Sequence, residues 1–358
     1  MEEKSEIIKE SIEKLISKDF NVYFFVPSVG EVYAQNIVEV YAHALVLKES
    51  GYNVFIMGDK PDYQIPSYLD ENLKSLPHKN LQKKKSTNGQ EELFLEENVA
   101  LSDTIVIPEY FVNICESTKT LPCNRILLVS SYEYFINSLI PGVSYAHFGI
   151  KNILTTSTIM ENFIKKYDGD DTYDIKKYTI GIPDYFKDNE FKKPYITFLS
   201  RNASDIMKIV KLFYKKYPQL QWISFEDLRG KTRQEFASKM GESIATIWLD
   251  KIAGHGTTAI EAMKSNTITI GLIPDIKPDY VVSDSGVWVD NIYNIPEAIE
   301  QVVSLWVEDQ IEEKVFETMK SISDNYSMEE SNKTIMESYE YFFAKRKSEL
   351  EQFLTETL

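Results

Sequence analysis

Short apolar runs alternate with helical segments along most of the chain. The runs are continuous and rich in β-branched or aromatic residues, as in NVYFFVP (21–27), NVFIMGD (53–59) and TIVIPEY (104–110). Such runs are typical of strands that are buried on both faces of a parallel sheet. Between them, apolar residues recur at helical spacing, for example in 31–50, which stops at Gly51. This alternation predicts an α/β fold whose parallel strands are joined by right-handed helical crossovers.

The alternation occurs in two separate runs. The first ends at KYTIGIP (177–183), and the second contains YITFLS (195–200), QWISF (221–225), IATIWLD (244–250) and TITIGLI (267–273). A chain of 358 residues is also too long for one ordinary hydrophobic core. We therefore predict two Rossmann-like domains, over 1–190 and 191–327, followed by a helix over 328–354. Ligands of such sheets lie outside the carboxyl ends of the strands, so we expect the site in a cleft between the domains.

Charge and cysteine content narrow the classes of partner. The net charge of −16 disfavours non-specific binding to phosphate backbones and anionic lipid, because like charges repel. Cys115 and Cys123 are not in a CxxC arrangement, which predicts reduced thiols and no metal site. The first 20 residues lack the apolar core of a signal peptide, and no apolar run is long enough to cross a bilayer. We expect a soluble, cytoplasmic protein without integral membrane association.

The strongest chemical signal is the segment IATIWLDKIAGHGTTAIEAMKSNTITIGLIP (244–274). A predicted strand runs into a loop that contains Gly254 and Gly256, and a helix begins at Thr257 or Thr258. Glycines let the backbone approach a ligand closely, and the N–H groups at a helix start favour phosphate. Glu261 lies one turn into the helix, where it can reach ribose hydroxyls. A glycine-rich turn that merely caps a core helix would show the same pattern, and the spacing does not separate the two interpretations.

This segment resembles the donor-binding segment of retaining GT-B glycosyltransferases of family four. The family pattern is Glu, Gly, an aromatic residue, Gly, about three variable residues, Leu, Glu-Ala-Met, a small residue and a strand. Gly254, Gly256, Glu261, Ala262 and Met263 stand in register with that pattern. The resemblance implies that Glu261 holds the donor ribose, while the loop glycines and the N–H groups of Thr257 and Thr258 hold the diphosphate.

Two positions depart from the family pattern. Ala253 stands where the family has the acidic residue that touches the transferred sugar, and His255 stands where it has the aromatic residue. Both changes bear on which sugar is transferred, or whether one is transferred. Neither affects the features that imply binding of a nucleoside diphosphate.

The resemblance implies further donor contacts in the second domain. Arg201, just after a predicted strand, matches an arginine that neutralises the diphosphate, and a guanidinium suits bidentate phosphate binding. Lys208 is the nearest counterpart of a lysine that follows it, although a solvated helix face would also place a lysine there. Leu228, Arg229 and Gly230 correspond to the loop that holds the nucleobase through backbone groups.

Two candidates lie in the first domain. Gly30, in PSVGEV (27–32), follows the first strand, where the family has a glycine loop that faces the donor phosphate and the acceptor. Glu109, in PEY (108–110), follows a strand at a position where the family places polar residues near the sugar. A salt bridge at the edge of the core is the competing interpretation of Glu109.

The resemblance implies a GT-B fold, with two Rossmann-like domains that face a cleft and a C-terminal helix, within 328–358, that packs back on the first domain. It also implies transfer of a sugar from a nucleoside-diphosphate sugar with retention of configuration. Many members of the family act on lipid-linked acceptors, but no membrane-binding helix is visible in the sequence, so we expect a soluble acceptor. No DxD-type carboxylate pair follows a predicted strand, so neither a catalytic metal nor another cofactor is indicated. The resemblance also implies a hexosyl or pentosyl transfer in which the leaving phosphate assists deprotonation of the acceptor.

Two alternatives stay open. Some tailed phages glycosylate hydroxymethylated DNA bases, and the lysines Lys83, Lys84 and Lys85, in the irregular stretch 60–100, could follow a phosphate backbone. A solvated surface loop is the competing interpretation of these lysines, and a phage enzyme would act in the host cytoplasm. Alternatively, Ala253 indicates a protein that binds a nucleotide sugar without transferring it.

Overall fold

The computed structural model describes residues 2–28, 34–80, 82–85, 91–94, 99–200, 203–251 and 255–357, with the backbone alone for residues 2, 3, 80, 82–85, 91–94, 203 and 357. Within them the chain forms two compact units. The first contains residues 1–179 together with 332–358, and the second contains residues 180–331. The last helix, α12 (Met328–Thr357), begins in the second unit and continues in the first.

The first unit is built on a parallel sheet. Its helices are α1 (Glu2–Ser17), α2 (Gln35–Glu49), α3 (Glu71–Lys74), α4 (Val112–Ser117), α5 (Tyr132–Asn137) and α6 (Thr158–Asp168). Its strands are β1 (Asn21–Val26), β2 (Asn53–Gly58), β3 (His78–Asn80), β4 (Gln82–Lys85), β5 (Glu91–Phe94), β6 (Thr104–Pro108), β7 (Asn124–Val129), β8 (Asn152–Thr155) and β9 (Asp174–Lys177). Among the described residues, seven of these strands form one sheet in the order β3-β2-β1-β6-β7-β8-β9.

The order of the strands reverses between β1 and β6. From β1 the chain moves outward to β2 and β3, and it then returns to the other side of β1 with β6. In β1, Val22 to Val26 are all buried, as expected of a central strand that is covered on both faces. A reversal of strand order opens a crevice at the carboxyl ends of the two strands, which is where such sheets bind ligands. Glu109, which directly follows β6, therefore lies at this point.

The second unit has the same architecture with fewer strands. Its helices are α7 (Ala203–Lys216), α8 (Arg233–Glu242), α9 (Thr257–Lys264), α10 (Ile295–Val307), α11 (Glu313–Ser323) and the start of α12. Its strands are β10 (Lys193–Phe198), β11 (Ser224–Asp227), β12 (Ser243–Trp248), β13 (Ile268–Leu272) and β14 (Val287–Val289). In the described part of the chain they form one parallel sheet in the order β11-β10-β12-β13-β14. Ile196, Ile247 and Ile270 of its central strands pack in one core with Phe213 of α7 and Ile299 of α10.

Two predicted elements were wrong. We expected a strand over 177–183, but the last strand of the first sheet is β9, which pairs with β8 from Asn152 opposite Asp174 to Thr155 opposite Lys177. β9 is a half-buried edge strand of largely polar residues, so its apolar pattern is weaker than that of the residues after it. The structure also shows that Lys83 to Lys85 are not in an irregular stretch, because β4 pairs with β5 in an antiparallel hairpin. Strand pairing satisfies backbone groups in a way that local composition does not reveal.

The second unit begins at Ile180, whereas we expected its first residue to be 191. The residues between these positions are held by the second unit. The N–H of Ile182 donates to the carbonyl of Tyr326 (2.8 Å), and Lys264 donates to the carbonyl of Ile182 (2.6 Å) and to Asp184 (2.8 Å). These long-range contacts follow from tertiary folding, so the start of the second strand–helix run in the sequence does not locate the boundary between the units.

Candidate functional site

Three helices of the second unit begin at the carboxyl edge of its sheet. α7 follows β10, α8 follows β11 and α9 follows β12, and these three strands are neighbours in the sheet. The loop after β11 is fixed to the next strand, because the N–H of Leu228 donates to the carbonyl of Phe198 (3.0 Å). The sequence therefore places three helix N-termini, with their positive dipole ends, along one edge of the sheet.

The start of α9 combines a left-handed glycine with a helix end that has no side-chain cap. Gly256 is the N-cap residue, with φ 72° and ψ 50°, and as a glycine it has no side chain to make a capping hydrogen bond. The helix begins at Thr257, which is buried, and continues with Thr258, which is half-buried. The first N–H groups of a helix have no partner within the helix. This helix start is consequently suited to an anionic ligand.

Gly256 is required by its surroundings as well as by its backbone. A Cβ at this position would overlap the ring of Trp248 and the hydroxyl of Tyr280. The Tyr280 hydroxyl donates to the carbonyl oxygens of His255 and Gly256, the latter at 3.1 Å, and thereby fixes the turn before α9. The sequence prediction missed Tyr280, because it lies in a loop after β13 and nothing in the local pattern connects it with α9.

His255 occupies an aromatic environment. Its ring lies 5.9 Å from the ring of Tyr280 and 5.4 Å from the ring of Tyr326. Burial lowers the pKa of the imidazole to about 4, so the ring is neutral at pH 7. Among the described residues, its Nε2 atom has no hydrogen-bond partner. A neutral imidazole with a buried nitrogen can bind a hydroxyl group, which a phenyl ring at this position could not do.

Glu261 is held in a buried ion pair. Its carboxylate is 2% exposed and its partner, Arg233, is 7% exposed. Arg233 donates from Nη2 to Oε1 of Glu261, and its guanidinium lies 4.8 Å from the ring centre of Phe186 and 4.9 Å from that of Phe236. The sequence prediction included Glu261 but missed Arg233, since 28 residues separate the two and they meet only through the packing of α8 on α9.

The other described candidates of the second unit differ in their surroundings. Leu228 is buried, whereas Arg229 is on the surface and donates from Nε to Asp227 (2.7 Å). Gly230 has φ 74°, with open space where a Cβ would lie, so the backbone of this loop is accessible. Lys208 is exposed and forms an ion pair with Asp205 (2.8 Å), three residues before it on α7. That pair resembles an ordinary solvated helix face.

Several predicted positions lie outside the described residues. They are Gly30, Arg201, Ala253 and Gly254. For the lysines of β4, the structure describes the backbone register alone, with Lys84 opposite Glu92 and Lys85 opposite Glu91. These candidates stay predictions.

Glu109 is a buried carboxyl group at the reversal of strand order in the first sheet. It is 1% exposed, and its Oε1 accepts hydrogen bonds from the N–H of Ser131 (2.9 Å) and from the N–H and hydroxyl of Ser130 (both 3.3 Å). Its Oε2 has no hydrogen-bond partner among the described residues, and no cation described there pairs with it. Burial raises the pKa of this carboxyl to about 7. The described residues thus offer no salt bridge of the kind we considered.

A second buried acid lies in the same unit. Burial, together with the negative charge of Glu109, raises the pKa of Glu39, on α2, to about 8. The Tyr178 hydroxyl donates to Oε2 of Glu39 (3.1 Å). The sequence prediction missed Glu39, although its helix is apolar on most sides, and an acidic residue in such a helix is a signal of a buried carboxyl.

Among the residues that the structure describes, no group of three or more His, Cys, Asp or Glu side chains is placed to hold a metal ion. None of the described helices is both long and apolar enough to span a membrane.

Comparison with known proteins relates this arrangement to sugar-transferring enzymes. No family model matches the chain. An alpha-1,6-glucosyltransferase of Actinobacillus pleuropneumoniae serotype 7 (strain AP76) is 32% identical over 114 residues, which are 30% of this chain and 34% of the relative. The chain therefore matches about a third of that relative's length.

Solved structures match much more of the chain at low sequence identity. TarM of S. aureus, a mutant in complex with UDP, covers 90% of this chain and 99% of its own, with a TM-score of 0.61 and 8% identity. The pneumococcal O-GlcNAc transferase GtfA, in complex with UDP and GlcNAc, covers 91% of this chain and 99% of its own, with a TM-score of 0.61 and 9% identity. HepE of Anabaena, in complex with UDP-glucose, covers 89% of this chain and 99% of its own, with a TM-score of 0.60 and 10% identity. The chain has the GT-B fold that the sequence predicted.

Proposed function

We propose that this chain is a glycosyltransferase that takes its sugar from a nucleoside-diphosphate donor. One observation carries the proposal: a left-handed glycine, an uncapped helix start and a buried acid lie within the six residues from Gly256 to Glu261. They lie at the carboxyl edge of a Rossmann-like sheet, where nucleotides bind. The relative in sequence is named a glucosyltransferase, and solved structures of the same fold contain UDP, GlcNAc or UDP-glucose.

The α9 start would bind the donor diphosphate. The N–H groups of Thr257 and Thr258 would donate to phosphate oxygens, and the helix dipole would stabilise the charge that builds up when the sugar–phosphate bond breaks. Arg201 would add a guanidinium to the same diphosphate. Lys208 has a smaller part in this proposal, because it is exposed and already paired with Asp205.

The nucleoside would lie between Glu261 and the loop after β11. Glu261 would accept hydrogen bonds from the ribose hydroxyls, and the backbone of Leu228 to Gly230 would contact the base. The open space at Gly230 is compatible with a base that lies against the main chain. Backbone N–H and C=O groups would form hydrogen bonds with the edge of the base, so the base specificity of the enzyme would depend on this loop.

The chemistry at the sugar would use neutral groups. In this proposal Ala253 leaves room at the sugar, while the neutral His255 and the carboxyl of Glu109 bind hydroxyls of the donor sugar or of the acceptor. We propose retention of configuration without a metal, with the leaving diphosphate accepting the proton of the acceptor. NMR of the product would show a retained anomeric configuration, and activity would persist in EDTA.

The proposal is tested by nucleotide binding to matched variants. Thermal unfolding of the wild type is followed with UDP, ADP and GDP and their glucose conjugates, and with Glu261→Gln and Glu242→Gln. Glu242 is an ion-paired glutamate that directly precedes β12, at the opposite end of the strand from α9. One nucleotide at about a hundred times its Kd should stabilise the wild type by roughly 2.7 kcal/mol.

Glu261→Gln should weaken the binding of that nucleotide at least about tenfold, since hydrogen bonds to a charged acceptor contribute about 1.5–3 kcal/mol. Glu242→Gln should bind as the wild type does. If no nucleotide stabilises the wild type, the proposed donor site is wrong. Binding without donor hydrolysis or transfer would instead favour the non-catalytic nucleotide-sugar binding protein, which Ala253 supports.

Modified DNA is a second class of acceptor, and the lysines of β4 favour it. Lys83 to Lys85 occupy consecutive positions in one strand, although Glu91 and Glu92 lie opposite two of them. A DNA-directed enzyme should bind hydroxymethylated duplex with an affinity that falls steeply with salt. Charge reversal at Lys83 to Lys85 should abolish that binding. Unchanged binding, or none at low salt, would leave a soluble small-molecule or protein acceptor.

A further inference from the structure

Arg233 is held in place by the start of its helix and by two aromatic rings, although the proposed function gives it no role. It is the first residue of α8 and lies within a capping box in which Thr232 and Glu235 bond to each other's backbone. Its guanidinium lies over Phe186 and Phe236, whose rings meet edge to face at 5.9 Å and 71°. Stacking on two buried aromatic rings suits a planar guanidinium, and an ammonium would not be held in the same way.

The ion pair has no obvious value for stability. Burial removes both charges from water, and this desolvation offsets most of their attraction, so apolar residues of equal size would stabilise the fold as well or better. Glu261 and Arg233 are nevertheless both buried at the edge of the sheet where the nucleotide is proposed to bind. The pair therefore calls for an explanation in terms of the ligand.

The geometry explains how the pair would act on a ribose. A carboxylate has two oxygens and about four acceptor positions, so a contact from Arg233 to Oε1 leaves capacity for hydroxyl donors. Two adjacent ribose hydroxyls can bond a carboxylate only if its plane is held in one orientation. We infer that Arg233 is a positioning residue that orients Glu261, and that the pair selects ribonucleotide over 2′-deoxyribonucleotide donors. This inference rests on the proposed function, because it assumes that Glu261 reads the ribose.

Selectivity between ribose and deoxyribose follows from the missing hydroxyl. A 2′-deoxy ligand would leave the buried carboxylate of Glu261 without one of its hydrogen-bond donors. An unpaired buried charge costs more binding free energy than the loss of an apolar contact. We expect the wild type to bind UDP about 10–100-fold more tightly than 2′-deoxy-UDP. Calorimetry with the full chain and these two nucleotides measures this ratio directly.

The test compares, in five proteins, the ratio of the Kd for 2′-deoxy-UDP to the Kd for UDP. They are the wild type, Glu261→Gln, Arg233→Met, Arg233→Lys and Lys239→Met, the last as a control on the same helix, where Lys239 pairs with Glu226. Arg233→Met and Glu261→Gln should lower the ratio to within about threefold of unity, because an unoriented or neutral acceptor no longer reads two hydroxyls together. Arg233→Lys keeps the charge and should give an intermediate ratio, and Lys239→Met should keep the ratio of the wild type.

The outcomes separate this inference from the proposed function. If the wild type binds none of UDP, ADP and GDP, the proposed function fails. If it binds ADP or GDP instead of UDP, the ratio is measured with that nucleotide and its 2′-deoxy form. If Glu261→Gln loses the ratio while Arg233→Met keeps it, the inference is overturned and the proposed function stands. A wild type that binds UDP without a preference for ribose also overturns the inference. Should Arg233→Met fail to fold, Arg233→Lys decides: a ratio at least threefold lower supports the inference, and an unchanged ratio overturns it.

Discussion

Glu109 and Glu261 are two equally buried glutamates near the carboxyl edges of the two sheets, and they have opposite surroundings. Glu261 faces the guanidinium of Arg233, which itself is stacked on aromatic rings. Glu109 accepts hydrogen bonds from Ser130 and Ser131 and has no cation beside it among the described residues. The carboxyls are 1% and 2% exposed, so burial alone does not distinguish them.

The difference shows that the partner of a buried carboxyl decides what the carboxyl can do. An ion pair gives Glu261 a fixed orientation and leaves it as an acceptor for hydroxyl groups. Without a cation, burial raises the pKa of Glu109 to about 7, so near neutral pH this group can donate a hydrogen bond as well as accept one. The two edges are therefore suited to different contacts, one to a fixed diol and the other to a hydroxyl that exchanges a proton.

The largest expected effect comes from breaking the ion pair. Arg233→Met leaves the charge of Glu261 buried without its partner, and we expect the free energy of unfolding to fall by about 3–5 kcal/mol. Adding Glu261→Gln removes that charge, so the double variant should recover most of the loss. Urea denaturation of the wild type, the two single variants Arg233→Met and Glu261→Gln, and the double variant measures both effects. A double variant as unstable as Arg233→Met would show that packing on Phe186 and Phe236, rather than charge, dominates.

The protonation of Glu109 should appear as a pH dependence of stability. Its pKa rises from 4.5 in the unfolded chain to about 7 in the fold, so between these values the folded state holds a proton that the unfolded state has released. Wild-type stability should consequently fall as pH rises from 4.5 to 7 and then level off. Glu109→Gln cannot ionise, so its stability relative to the wild type should rise by about 2.5 kcal/mol between pH 5 and pH 8.

Glu242→Gln provides the control for that prediction. The hydrogen bond and charge of Lys193 lower the pKa of Glu242 below its usual value, so its contribution changes only at more acidic pH. The stability difference between Glu242→Gln and the wild type should stay constant between pH 5 and pH 8. A constant difference for Glu109→Gln as well would mean that its carboxyl titrates normally, and the contrast between the two glutamates would disappear.

The smallest expected effect separates backbone strain from packing at the α9 start. Gly256 and Gly230 have nearly the same φ, 72° and 74°, but only Gly256 is crowded, by Trp248 and Tyr280. Gly230→Ala should lower the free energy of unfolding by about 1 kcal/mol through strain alone. Gly256→Ala should lower it by about 2 kcal/mol more, since the added methyl displaces its neighbours. Equal losses in the two denaturation curves would argue against a turn that is built by close packing.

Much of the fold could be read from local patterns. The buried strands β1, β6, β12 and β13 were predicted to within two residues at each end, because short continuous runs of β-branched residues are typical of buried strands. The start of α9 at Thr257 was likewise predicted, because glycine and threonine at a helix start act through local geometry. The strand β9 and the hairpin of β4 and β5 were missed, since their polar residues owe their conformation to a paired neighbour.

The sequence by itself determined the two Rossmann-like sheets, the helix that begins at Thr257 and the presence of Glu261 on it, because these follow from interactions within a few residues. Only the tertiary structure decided the partners of the buried groups. Arg233 reaches Glu261 across 28 residues, Tyr280 reaches Gly256 across 24, and Glu109 is left without a described cation. Burial and pairing depend on which elements pack together, so the charge and orientation of these groups are properties of the fold rather than of any local segment.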